Sequence, residues 1–237
     1  LPDLKIVISG WVVDRDDEPV ANAVIRIVGN DGSNQRTVAR NDGSYSFPLQ
    51  RGVSYVMLAG AKGYLNARQE FTSDDAEEDA EYGVDFVLAS INKPNIVENI
   101  FYDFDKATLR EDSREALDEI VQLLNDNPNI TVEMASHTDR VGSEEYNLDL
   151  SQRRAKSVID YLIDHGISPQ RLQHQGYGKS RPKTVTKRVN KQYPQFPEGQ
   201  VLDEEFILTL SPEDQEAADQ INRRTEFQVL SVDYHMY

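Results

Sequence analysis

Hydrophobic residues recur at two different spacings in this chain of 237 residues, and the change falls near residues 90–95. Before it, short apolar runs alternate with turn residues: Ile6-Val7-Ile8, Trp11-Val12-Val13, Ala23 to Val28, Tyr45-Ser46-Phe47, Tyr55 to Leu58 and Val84 to Leu88. Between them stand Asp16-Asp17-Glu18-Pro19, Asn30-Asp31-Gly32 and Asn41-Asp42-Gly43, where Gly and Asn tolerate the positive φ of tight turns. This pattern predicts an all-β sandwich or barrel. After the change, strand and helix alternate, which predicts an α/β sandwich with helices packed on a mixed sheet. The expectation is two domains, 1–91 and 92–237, each long enough for its own core, with Ser90 to Asn95 as linker because Pro94 interrupts pairing.

Composition removes several function classes. A formal charge of −16 disfavours nucleic acid, which is held by clustered Lys and Arg. The absence of cysteine excludes disulfides, thiolate nucleophiles and sulfur-ligated metals. No stretch approaches the roughly 20 apolar residues of a membrane-spanning helix. No cofactor is expected, and no metal: the acidic run Asp74, Asp75, Glu77, Glu78, Asp79, Glu81 lacks the alternating ligands of a calcium loop and reads as a solvated loop. The opening Leu1-Pro2, without methionine or apolar leader, reads as a fragment of a longer protein.

In the first half, Gly10, the run Pro19-Val20-Ala21-Asn22-Ala23-Val24, Asp42-Gly43-Ser44-Tyr45 and Gly63-Tyr64 resemble the carboxypeptidase regulatory-like family. The resemblance implies a transthyretin-like seven-stranded sandwich and a spacer or docking role. Zinc catalysis of the kind that named the family is excluded there, since this half contains no histidine.

In the second half, Ile100 to Phe104 reads as a strand. A helix over Leu109 to Asn127 follows from Leu117, Ile120, Val121 and Leu124 at i, i+3, i+4, i+7, stopped by Pro128. Ile130 to Ala135 reads as a strand and Ser143 to His165 as a helix ended by Gly166 and Pro169. On that helix Ala155, Val158, Ile159 and Leu162 form the stripe facing the sheet. Asn147 and Arg154, seven residues apart, lie within about 20° of each other at the stripe's edge. Asp139 sits where the preceding strand ends, at the same end of the fold. A carboxylate and a guanidinium at one rim suit a zwitterion, the Arg fork taking a carboxylate and the Asp an ammonium. Taken singly, Asp139 reads as a turn or capping residue, Arg154 as a surface ion-pair donor, and His137 as a hydrogen-bonded structural residue.

The motifs Phe101-Tyr102-Asp103-Phe104-Asp105-Lys106-Ala107, His137-Thr138-Asp139 with Gly142, Asn147, Leu150-Ser151-Gln152-Arg153-Arg154-Ala155, Gly176-Tyr177-Gly178, Pro182 and Asn222-Arg223-Arg224-Thr225-Glu226 resemble the OmpA C-terminal-like family over about residues 99–232. The resemblance implies a β/α sandwich that grips the diaminopimelate of a peptidoglycan stem peptide in the periplasm, without catalysis. It implies that Asp139 takes the ammonium and Arg154 the carboxylate, that Asn147 and Asp103 contribute to the pocket, and that Thr138 and Arg224 support it. Anchoring of an outer-membrane complex, with other envelope proteins as partners, is the implied role. The tandem also resembles the C-terminal part of PorE-like proteins of the type IX secretion machinery. Two alternatives stay open: an interaction module with a vestigial pocket, and a wall hydrolase using Asp103, Asp105 and Asp139 as acid and base.

The sequence departs from the family at about residues 179–221. This stretch opens with Lys179, Arg181, Lys183, Lys187, Arg188 and Lys191 and no acidic residue among them, continues through Tyr193-Pro194-Gln195-Phe196-Pro197 and Phe206 to Leu210, and reaches a helix start at Ser211-Pro212-Glu213. It reads as a decorated surface loop or a partner-docking element.

Overall fold

A computed structural model describes residues 5–73, 78–103 and 105–235. The chain divides into two compact units, Leu1–Ile91 and Asn92–Tyr237.

The first unit contains two four-stranded sheets. Strands β1 (Ile6–Asp14), β4 (Ser44–Leu49), β7 (Ala80–Gly83) and β8 (Phe86–Leu88) form one, with β4 antiparallel to β1 and β7 and β8 parallel to it. Strands β2 (Val24–Gly29), β3 (Asn34–Val38), β5 (Ser54–Gly60) and β6 (Ala67–Thr72) form the other, in the antiparallel order β3-β2-β5-β6. Alternation fixes which face is buried: Ile6, Ile8 and Val12 on β1, and Ile25 and Ile27 on β2, meet Met57 and Phe86 in one apolar cluster.

The runs Ile6–Ile8 and Trp11–Val13 are one strand, because the alternation continues unbroken through Gly10. Strands β3 and β6 have no counterpart among the apolar runs. They are the two sheet edges, and Asn34-Gln35-Arg36-Thr37-Val38 is almost wholly exposed, so no buried face writes a pattern into its sequence. Of the acidic run, Asp74, Asp75 and Glu77 lie outside the described residues. Asp79 accepts from the Lys5 backbone N–H at 2.7 Å, and Glu81, on β7, from the Ser9 hydroxyl at 2.8 Å, and both residues remain exposed to solvent.

The second unit is built on the mixed sheet β11-β10-β12-β9, from β9 (Asn95–Val97), β10 (Thr131–His137), β11 (Leu172–Gly178) and β12 (Arg224–Ser231). The central β10 runs parallel to β11 and antiparallel to β12. Helices α1 (Arg114–Asp126) and α2 (Glu144–Asp164) connect the strands, and α2 packs on β11 and β10. The expected linker therefore ends early: Asn95 is buried and pairs with Phe227. The expected strand at Ile100 to Phe104 is replaced by an irregular segment that carries one bridge, Tyr102 to Leu109, with Phe104 outside the described residues. Ser113 Oγ, which accepts from the Phe101 N–H at 2.7 Å and donates to its carbonyl at 3.0 Å, holds that segment to the start of α1.

Helix α2 begins where Ser143 accepts from the Tyr146 N–H and ends at Gly166 with φ +93°. It lies close against β11 only because position 176 has no side chain: a Cβ there would stand 2.2 Å from the backbone nitrogen of Gln152. The hydroxyl of Ser151 and the side-chain oxygen of Gln152 accept from the N–H groups of Gly178 and Gly176, at 2.8 and 2.6 Å.

The segment at residues 179–221 is a folded element rather than a surface loop. It holds α3 (Lys187–Gln192), α4 (Glu204–Ile207) and α5 (Pro212–Asn222), and Val185, Val189, Phe196, Leu202, Ile207 and Ala218 pack into a core of their own. Ser211 caps α5 with Pro212 in its first turn. Part of its basic run is spent internally. Arg188 pairs with Glu98 through Nε and Nη2, at 2.9 and 2.5 Å, and Arg181 lies 3.7 Å from the centre of the Tyr177 ring.

Candidate ligand-binding site

Strand β10 ends at His137 and the chain turns through Thr138 to Gly142 into α2, so Asp139 is carried by a turn fixed at both ends. Thr138, buried, donates its N–H to Gly178 O at 2.9 Å and its hydroxyl to Asp139 O at 3.0 Å. Gly142 takes φ +96°, which lets the turn enter the helix. The Asp139 carboxylate accepts from the Val141 N–H at 2.8 Å through Oδ1 and from Arg223 Nη1 at 2.6 Å through Oδ2. Asn147 is buried and donates to the Val141 carbonyl at 2.9 Å, so its amide braces the same turn.

Arg154 is held from the other side. Its Nε donates to Lys106 O at 2.9 Å, and its guanidinium carbon lies 4.7 Å from the centre of the Tyr102 ring. Neither Nη carries a hydrogen bond to the described residues. Burial lowers the Arg154 pKa, while Tyr102, Asp105 and Asp139 act to raise it; Asp139 is thus near enough to share its field. Asp103 is exposed, and its backbone closes the turn that presents Lys106 O: Asp103 N–H donates to Thr108 O at 3.3 Å and Lys106 N–H to Asp103 O at 3.0 Å.

Arg224 is buried. Its Nε pairs with Glu226 and its Nη2 donates to Arg181 O at 2.9 Å, which fixes the start of β12. Glu226 in turn lies 3.5 Å from His137 Nε2, and the His137 ring stacks on Tyr177 with centroids 5.3 Å apart. Burial, then the nearby Arg224, Arg181 and Lys183, push the His137 pKa down to about 2, so it is neutral; the hydrogen-bonded role expected of it is not met at Nδ1, which has no partner among the described residues.

Two partners escaped sequence reasoning. Arg223 neutralises Asp139 and is itself held by Glu216 and by Gln220. Burial pulls its pKa down, but the hydrogen bonds to Asp139 and Glu216 outweigh this and raise it. Arg223 stood in a quoted motif, and the signal for its role is its place between α5 and β12: consecutive residues there point apart, so Arg223 and Arg224 serve different partners. Tyr102, beneath Arg154, likewise lay in a quoted motif without a role.

Residues 7–89 match the family model for the carboxypeptidase regulatory-like domain, and residues 101–193 that for the OmpA family. Outer membrane protein A of Bordetella avium is 43% identical over 82 residues, 35% of this chain and 42% of that protein. The protein of the same name from Shigella flexneri is 43% identical over 88 residues, 36% of this chain and 25% of that protein. The chain thus spans less than half the length of these relatives. Among solved structures, the peptidoglycan-associated lipoprotein from Burkholderia pseudomallei superposes with a TM-score of 0.39 at 24% identity, covering 55% of this chain and 87% of that one. From the two family matches, the chain carries a carboxypeptidase regulatory-like domain over residues 7–89 and an OmpA-family domain over residues 101–193.

Proposed function

We propose that residues 92–237 form a domain that binds peptidoglycan without cleaving it, gripping the zwitterionic end of a diaminopimelate in the stem peptide. The observation that carries this is the Arg154 fork, braced at Nε and over Tyr102, with neither Nη hydrogen-bonded to the described residues and the Asp139 carboxylate among the charges that act on it. In this reading Arg154 takes the ligand carboxylate in a bidentate pair and Asp139 the ammonium. Asp103 flanks the ligand, Asn147 contributes by bracing the turn that carries Asp139, and Thr138 and Arg224 hold the turn and the strand behind it. The OmpA-family match over residues 101–193 and the relatives named outer membrane protein A support the wall-binding reading.

Residues 1–91 form the other domain, a transthyretin-like sandwich that spaces or docks the wall-binding domain within a periplasmic assembly tethered to the outer membrane. A PorE-like place in type IX secretion fits the same tandem. Incubation with purified sacculi tests the reading: the chain should sediment with them and release no soluble fragments. Release would favour a hydrolase, and failure to sediment would refute wall binding.

The ion pair between Arg223 and Asp139 favours a second reading, an interaction module whose pocket is vestigial. In that case Arg154→Ala leaves sedimentation unchanged; in the first reading it abolishes it.

A further inference from the structure

In the first unit, the sheet β3-β2-β5-β6 turns one face to the core and the other outward. Ile25, Ile27 and Met57 enter the core, so Val24, Arg26 and Val28 on β2 and Val56 and Leu58 on β5 point away from it. Register places Arg36, Arg26, Leu58 and Arg68 in one row across the four strands. Val38 and Val24 pair in the row on one side of it, and Val28 and Val56 in the row on the other. Val24, Val28, Val38 and Leu58 are 36–46% exposed, so this face is as apolar as it is basic. At its Val28 end lies a shallow hollow of about 500 Å³, lined by Val28, Val56, Phe71 and Thr72 among others.

The charges on this face are arranged at a cost to the fold. Arg26 and Arg36 stand directly opposite each other on paired strands, and like charges so placed destabilise a sheet. Glu70 is the one carboxylate in the four strands, and Arg68 pairs with it. Arg26 Nε donates to the neutral Asn34 Oδ1 at 3.2 Å, and Arg36 has no hydrogen bond or ion pair among the described residues. Protection of an open sheet edge accounts for Arg36 on β3, but not for Arg26, because β2 is an interior strand.

We infer that this face docks an acidic segment of a partner protein, an inference that rests on the docking role proposed for residues 1–91 and is independent of wall binding. Carboxylates of the segment meet Arg26 and Arg36, and a neighbouring apolar side chain fills the hollow beside Val28 and Val56. The net charge of −16 favours a peptide over an anionic membrane as occupant. An extended negative surface repels the whole molecule, whereas a short segment meets the arginine row within a Debye length of about 8 Å.

The test is fluorescence anisotropy of a labelled peptide of alternating glutamate and valine, titrated with the full chain at low salt, with the lysine-valine peptide as control. The acidic peptide should bind at least about tenfold more tightly than the control. Arg36→Glu should weaken it at least about tenfold, with a melting temperature equal to or above the parent's, because the like-charge pair becomes an opposite-charge one. Val28→Lys adds positive charge but obstructs the hollow, and should weaken the acidic peptide about fivefold. Equal binding of the two peptides, or binding that ignores Arg36→Glu or strengthens with Val28→Lys, overturns the inference. So does a lower melting temperature for Arg36→Glu, which would make Arg36 a structural residue. Phosphatidylglycerol vesicles that bind the parent and not Arg36→Glu would assign the face to a membrane and overturn it too. Sedimentation with sacculi should be the same for Arg36→Glu as for the parent, so the wall-binding reading and this one can fail separately.

Discussion

Acidification should unfold the OmpA-family unit by a calculable amount through His137. Its pKa is about 2 in the folded chain, against an ordinary value of 6.5. Between those values the unfolded chain binds a proton that the folded chain refuses, so this residue costs no stability above pH 6.5 and progressively more as pH falls towards 2. At about 1.36 kcal/mol per pH unit well below 6.5, lowering the pH from 7.5 to 4.5 costs about 2.7 kcal/mol. For a chain of this size that is a melting temperature lower by roughly 5–10 °C. The cause is geometric: the ring is 5% exposed, stacked on Tyr177, and its Nδ1 has no hydrogen-bond partner among the described residues. Thermal melts by circular dichroism at pH 7.5 and 4.5, on the parent and on His137→Gln, isolate the effect, because carboxylates common to both cancel. The parent should lose several degrees more than the variant on acidification. Equal losses would mean that His137 takes up its proton in the folded state, and the burial argument would fail.

Other perturbations probe the site and its supports. Gly176→Ala places a Cβ 2.2 Å from Gln152 N, so α2 must move off β11; chemical denaturation should show a loss of about 1–3 kcal/mol or more. Arg154→Lys keeps the charge but removes the planar fork, and should weaken a diaminopimelate stem peptide at least about tenfold in calorimetry with the melting temperature nearly unchanged. Phe196→Ala empties the centre of the insertion, where Phe206 meets it edge-on at 6.5 Å, and should cost about 3–5 kcal/mol locally, read as new cleavage within residues 183–210 in limited proteolysis.

The long helices α1 and α2 were legible because they carry buried stripes and terminal signals, although α1 starts at Arg114 and not at Leu109, and the short α3 and α4 were not marked. Leu117, Ile120 and Leu124 mark α1, and Ser143 and Gly166 bound α2 to within a residue or two. The central strands were legible for the same reason, since Met57 and Met134 sit in alternating buried rows. The sequence hid the edge strands β3 and β6, which have no buried face of their own, and it did not mark β7, β9, β11 or β12, although β12 buries Phe227 and Val229. It also hid structure whose apolar residues follow no single period: Val185, Phe196, Leu202 and Ile207 close the insertion's core from short, separate pieces. At the site, Asp139 and Arg154 could be placed at one rim from strand end and helix spacing. The Arg223 counter-ion could not, because residues 139 and 223 meet only through the tertiary fold.

The central claim is that a carboxylate and a guanidinium, Asp139 and Arg154, clasp the two charged ends of one wall amino acid. It is tested most directly by titrating the chain with two stem peptides identical except at the third residue, diaminopimelate in one and lysine in the other. Lysine retains the distal ammonium and lacks the distal carboxylate that Arg154 would hold. The diaminopimelate peptide should bind at least about tenfold more tightly, and Arg154→Ala should erase that preference. Equal affinity for the two peptides, or a preference that survives Arg154→Ala, would contradict it.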